Sequence, residues 1–350
     1  MVLHDKIPAI YHSFFPELLN IEFPEEKIAT CNTCNLCRSS QSPYINTKCC
    51  AYQPHLANFL VGAILTDDDR SLDIGKERIL GRINARAGVT PYGIIPSVPY
   101  SIRQKEVESR EYWSRPHELM ELQRCSYYDN GNCTVWKYRE NLCVTHFCSS
   151  IGGVAGSTFW KKINQYLKMA ETSLSQYAMV QLGWPPAQIK TKAVTTTDLN
   201  IENEEGIVKD EVYKKLWGDW IGKEEAFYRN CYTIIKETDA TTFKRITGLN
   251  REILEAAIFD TQKIFLQNIL PERLQLNSNV VIEAGAHEGY SRWVLGEVYA
   301  EIPVVFSPLI RAFNGERQTA AVFQLGYNLL FNMSEMVDDL YKKGILLKVE

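Results

Sequence analysis

STFWKKINQYLKMAETSLSQYAMVQLGWPP, residues 157–186, carries apolar side chains at Phe159, Ile163, Tyr166, Leu167, Ala170, Leu174, Tyr177 and Ala178. Spacings of three and four put them on one face of a long amphipathic helix. Ser157 reads as its N-cap, and Gly183 with Pro185 and Pro186 as its stop. Downstream, residues 211–237 and 251–270 continue in helical pattern to Pro271, after a polar stretch at 193–206 that reads as a linker or surface loop. The last eighty residues change texture. Residues 279–285 and 302–306 read as strands, 307–315, 319–330 and 334–344 as three short helices, and 345–349 as a final strand. Upstream, Asp73–Gly88 has Ile79, Leu80 and Ile83 at helical spacing, whereas the proline-rich 89–101 reads as an extended covering loop. The expectation is an α+β chain, mostly helical, in three parts. These are a loop-rich cysteine domain at 1–150, a helical domain at 151–270 and a small winged-helix-like module at 271–350.

The composition is that of a globular protein, 45% hydrophobic and 23% charged over 350 residues, with a net charge of −4. No overall basic field draws it to nucleic acid or anionic lipid. The amino-terminal twenty residues lack the basic start and apolar run of a signal peptide, and no apolar run is long enough to span a membrane. A cytoplasmic address is the default expectation. In that reducing setting the cysteines carry information. Nine of the ten precede residue 150, and five fall between Cys31 and Cys50. Such clustering points to metal ligation or to redox thiols, whereas Cys231, alone in AFYRNCYTII, reads as a buried small hydrophobe.

The first group is Cys31-x2-Cys34-x2-Cys37 followed by Cys49-Cys50; the second is Cys125-x7-Cys133-x9-Cys143-x4-Cys148. Two-residue gaps let successive thiolates turn inward on one tight loop, as zinc knuckles and iron–sulfur loops both require. Ligands from two distant segments would couple metal binding to folding. All nine cysteines are therefore candidate metal ligands.

The second group, CSYYDNGNCTVWKYRENLCVTHFC (125–148), resembles the YkgJ-like cysteine-cluster family, described as a zinc- or iron-chelating domain. Cys133, Val135, Trp136, Arg139, Cys143 and Cys148 fall on that family's pattern, with Glu140 where proline is usual. Cys31, Cys34 and Cys37 match its first half, but the Cys49-Cys50 pair is displaced by an eleven-residue insertion. Which of Cys37, Cys49 and Cys50 are ligands is therefore open. The resemblance implies a metal site but no particular reaction. Flagellin lysine N-methylases share a similar cysteine motif, and that analogy implies an iron–sulfur cluster and modification of a protein or peptide. A non-catalytic zinc-binding structural protein or metal carrier is the alternative. No side chain is assigned a catalytic role, and no organic cofactor is implied.

Weaker candidates surround these. His146 and His55 are possible ligands, with packed rings as the plainer alternative. Asp67, Asp68 and Asp69 could hold a hard cation but read better as a solvated turn. Arg139 could orient a thiolate or an anionic substrate, though pairing with a nearby carboxylate is the simpler reading. VVIEAGAHEGYS (280–291) imitates the opening of a dinucleotide-binding unit, yet too little chain follows to complete one. The C-terminal module vaguely resembles PqqD-like peptide-recognition domains. Its seven basic residues stand against ten acidic ones, a net of −3, which argues against phosphate binding and leaves a protein or peptide as the expected partner.

Overall fold

The computed structural model describes residues 1–26, 37, 44–48, 50–109, 117–147, 150–189, 210–326 and 333–349. The chain is α+β: helices dominate, and the strands form small antiparallel sheets. Among the described residues no helix is long and apolar enough to cross a membrane.

The N-terminal stretch folds through short turns and α1 (Pro16–Leu19), then β1 (Leu56–Ala57) leads into α2 (Asn58–Thr66). Helix α2 is apolar on every side and correspondingly buried from Asn58 to Leu65. α3 (Asp73–Asn84) follows as the periodicity predicts. The proline-rich segment does not form the expected extended loop. It makes a tight hairpin, β2 (Val89–Thr90) with β3 (Gly93–Ile94), and then α4 (Val98–Glu108). Pro99 sits in the first helical turn, where the missing N–H has no intrahelical partner to lose.

α5 (His117–Leu122), the hairpin β4 (Tyr128–Asp129) with β5 (Asn132–Cys133), and α6 (Asn141–Thr145) follow; Cys125 lies between α5 and β4, Cys133 in β5 and Cys143 in α6. α7 (Gly153–Gln181) is the central beam. It begins four residues before Ser157, at Gly152 and Gly153, because packing overrides the capping signal. A Cβ at Gly152 would stand 2.3 Å from the ring of Phe265, so only glycine admits the contact. α8 (Asp210–Trp217) and α9 (Glu224–Lys236) are separate helices, interrupted where Gly218 and Gly222 take positive φ. α10 (Ala240–Gln267) lies along α7, with Gly248 breaking its helical path.

One buried cluster extends from Leu3 through α2, α7 and α9 to Phe265. Residues expected as two domains, 1–150 and 151–270, thus pack around a common core. A second cluster, from Leu270 to Leu346, belongs to the C-terminal unit. There β6 (Arg273–Leu276) lies between β10 (Asn314–Gln318) and β11 (Leu346–Lys348). β7 (Val281–Ala284), β8 (Tyr290–Leu295) and β9 (Val298–Pro303) form a meander, and α11 (Ser307–Arg311), α12 (Thr319–Gly326) and α13 (Met333–Lys342) complete the unit. VVIEAGAHEGYS is a hairpin between β7 and β8, not a strand feeding a phosphate-binding helix. Residues 304–306, expected in a strand, make a short 3₁₀ turn after Pro303.

Candidate functional site

The two cysteine segments meet through main-chain and side-chain bonds around Cys50 and Cys125. The amide N–H of Cys125 donates to the carbonyl of Cys50 at 2.7 Å. On either side, Gln53 Nε2 donates to Ser126 Oγ at 2.5 Å and Lys48 Nζ to the Gly131 carbonyl at 2.8 Å. The hairpin carrying Cys133 turns at Asn130-Gly131, both with positive φ, a pairing that suits a tight two-residue β-turn. Cys143 is placed by a helix cap: the Glu140 carboxylate accepts from Leu142 N at 2.8 Å and Cys143 N at 3.0 Å.

Cys125, Cys133 and Cys143 lie within one another's electrostatic field. Burial pushes the Cys125 thiol up to about 12, and Cys133 adds to the rise. Cys133 is raised by burial as well. Cys143 is exposed; desolvation by the surrounding chain, then Glu140 and the other two thiols, hold it well above the usual thiol range. Such raised thiols favour protonation, and a bound cation would reverse that preference by compensating the thiolate charges. Cys50 is half-buried, its carbonyl on the Cys125 amide, and the half-buried Cys37 makes a long contact with the Tyr44 carbonyl at 3.9 Å. Cys31, Cys34, Cys49 and Cys148 lie outside the described residues. Among the described residues no three His, Cys, Asp or Glu side chains form a group able to hold a metal ion. Cys231 is fully buried in the core on α9.

The carboxylate of Glu26 links the chain entering the first cysteine group to the chain leaving the second. It accepts from Ser150 Oγ at 2.8 Å, Ile151 N at 2.8 Å and Trp160 Nε1 at 2.7 Å. Glu26 stands five residues before Cys31, and Ser150 two after Cys148. Other candidates have structural partners. Asp67 accepts from Tyr138 Oη at 2.6 Å and pairs with Lys137 at 2.5 Å, while Asp69 caps a short turn through Ser71 N. Arg139 lies over the Trp136 ring at 3.9 Å and donates to the Lys6 and Trp136 carbonyls. Poor solvation lowers the His146 imidazole below its ordinary value.

Beside this region is a cavity of about 280 Å³ that the apolar reading of α7 overlooks. Asn164, Lys168, Glu171, Thr172 and Ser175 line it from one stripe of the helix. Tyr52, His55 and Glu140 face it from elsewhere, and Leu56, Ala57, Ile95 and Leu142 give it an apolar wall. Glu171 is buried and accepts from Tyr11 Oη at 2.7 Å, Asn141 N at 2.7 Å and Asn141 Nδ2 at 2.6 Å. Burial, and then the neighbouring Glu140, lift its carboxyl to about 8. Burial, with Lys168 and Arg82 nearby, lowers the His55 imidazole to about 4, so the ring is neutral near pH 7. The stripe of polar residues at helical spacing within an inward-facing helix was the sequence signal for this cavity. No family model, curated protein or solved structure matches the chain.

Proposed function

We propose that this is a metal-binding cysteine-cluster protein, with an iron–sulfur cluster held by both cysteine groups and a role in modifying a protein or peptide. The observation that supports it most is the bond from Cys125 N to the Cys50 carbonyl, which joins the two segments, with Cys133 and Cys143 within electrostatic reach of Cys125. On this reading residues 1–150 carry a YkgJ-like cluster whose ligands are drawn from Cys31, Cys34, Cys37, Cys49, Cys50, Cys125, Cys133, Cys143 and Cys148. Residues 271–350 form a winged-helix-like end that meets a protein or peptide partner and not nucleic acid. The protein works in the cytoplasm. A cluster would supply electron-transfer or Lewis-acid chemistry, and the chain would supply the thiolates.

Anaerobic purification followed by iron, sulfide and zinc analysis tests the proposal. A brown protein with stoichiometric iron and sulfide supports it. A colourless protein with stoichiometric zinc replaces it with a structural or metal-carrier role. Neither metal, in protein whose thiols all titrate freely, refutes both.

A further inference from the structure

We propose that the cavity beside α7 binds a small free α-amino acid, with Lys168 facing its carboxylate and the Glu171–Glu140 carboxyl pair facing its ammonium. Lys168 and Glu171 are three residues apart on one helix, a spacing at which opposite charges commonly pair. Both line the cavity, yet among the described residues Lys168 makes no ion pair within 4.0 Å. The cavity thus presents an exposed cation and buried carboxyl groups to the same small space.

The remaining groups narrow the ligand. Glu171 Oε2 accepts one bond, from Asn141, and has room for another; near pH 7 the Glu171 carboxyl keeps its proton, so the ligand's ammonium meets the charge of Glu140 and draws the proton off Glu171 as it binds. Asn164 Nδ2 is committed to Asn141 Oδ1 at 2.9 Å and Thr145 Oγ1 at 3.0 Å, which leaves its Oδ1 as an acceptor for an ammonium. Among the described residues the Tyr52 hydroxyl and the His55 ring have no hydrogen-bond partner, so both remain available to a polar ligand. Leu56, Ala57, Ile95 and Leu142 provide a surface for an aliphatic side chain. The volume of about 280 Å³ is at the small end of ligand cavities, enough for one amino acid but not for a nucleotide. A simple anion would meet the two glutamates, and a simple amine would leave Lys168 unanswered. A zwitterion satisfies both sides. This inference rests on the cavity and needs no bound metal, although Glu140 is shared with the cap that places Cys143.

Calorimetry and thermal-shift titration of the full chain with L-alanine, L-leucine, isobutylamine and isobutyrate test it. The expected result is saturable binding of L-leucine or L-alanine, with the amine and the acid each at least about tenfold weaker. Lys168→Met should weaken the amino acid at least about tenfold, and because Lys168 is exposed the unliganded melting temperature checks that the variant still folds. Glu171→Gln should weaken it as well. The proposal is overturned if no probe binds, if isobutylamine binds as tightly as the amino acids, or if Lys168→Met retains full affinity.

Discussion

Replacing Glu26 by alanine removes one carboxylate that accepts three hydrogen bonds at 2.7–2.8 Å. The Trp160 indole N–H and the Ile151 amide cannot turn to other acceptors, and Trp160 is 3% exposed. An unsatisfied buried donor costs about 1–3 kcal/mol, so these two account for about 4 kcal/mol. The Ser150 hydroxyl can rotate and adds little. The lost side-chain volume adds about 1 kcal/mol. An offset comes from the burial that raises the Glu26 carboxyl, a cost that disappears with the group. The net expectation is a loss of about 3–5 kcal/mol for Glu26→Ala. Glu26→Gln keeps one acceptor oxygen and should lose only about 1–2 kcal/mol. Urea denaturation followed by tryptophan fluorescence measures both variants, with Trp160 itself at the altered site. A loss below about 1 kcal/mol for alanine, or equal losses for both variants, would refute the reasoning.

Cysteine substitutions separate ligands from core. Cys133→Ser or Cys143→Ser should reduce bound metal in anaerobically purified protein, while Cys231→Ser should leave metal content unchanged; equal loss in all three would contradict the assignment. Gly62→Ala should destabilise the packing of α2 against α9 by about 3 kcal/mol, because the new Cβ would stand 1.9 Å from the Tyr228 carbonyl oxygen. A wild-type melting temperature would show that the helices separate at little cost. Glu171 holds its proton to about pH 8 in the folded state, against an unfolded value of about 4.3. Its contribution is complete below the unfolded value and is lost as pH rises through about 8, so stability should fall across that window. Glu171→Gln should flatten the fall in denaturation curves taken from pH 5 to 9, and an unchanged slope would assign it to other groups. Finally, the net charge of −3 over residues 271–350 predicts no salt-sensitive binding of the full chain to duplex DNA in a mobility-shift assay, and tight salt-dependent binding would refute it.

Local sequence determined those elements whose cause is local. The three- and four-residue spacing from Phe159 to Ala178 specifies α7, because one face of the helix must be buried. Asp129-Asn130-Gly131-Asn132 specifies the β4–β5 hairpin, because Asn and Gly tolerate the left-handed backbone of its turn. The solitary, apolar setting of Cys231 anticipated its burial. Tertiary structure decided the rest. α7 starts at Gly153, directly after Gly152, where the close approach of Phe265 admits only glycine, a constraint set more than a hundred residues away. Proline-rich 89–101 becomes hairpin and helix because Tyr100 Oη reaches the Ala51 carbonyl at 2.9 Å and accepts from Gln53 N at 2.9 Å, bonds no local pattern announces. The cysteine spacings marked nine thiols as candidate ligands, but only the folded chain set the Cys125 N–H on the Cys50 carbonyl. The cavity depends on the same cause: Lys168 and Glu171 read singly as surface charges, and they become a shared site only when Tyr52, His55 and Glu140 close over the helix that carries them.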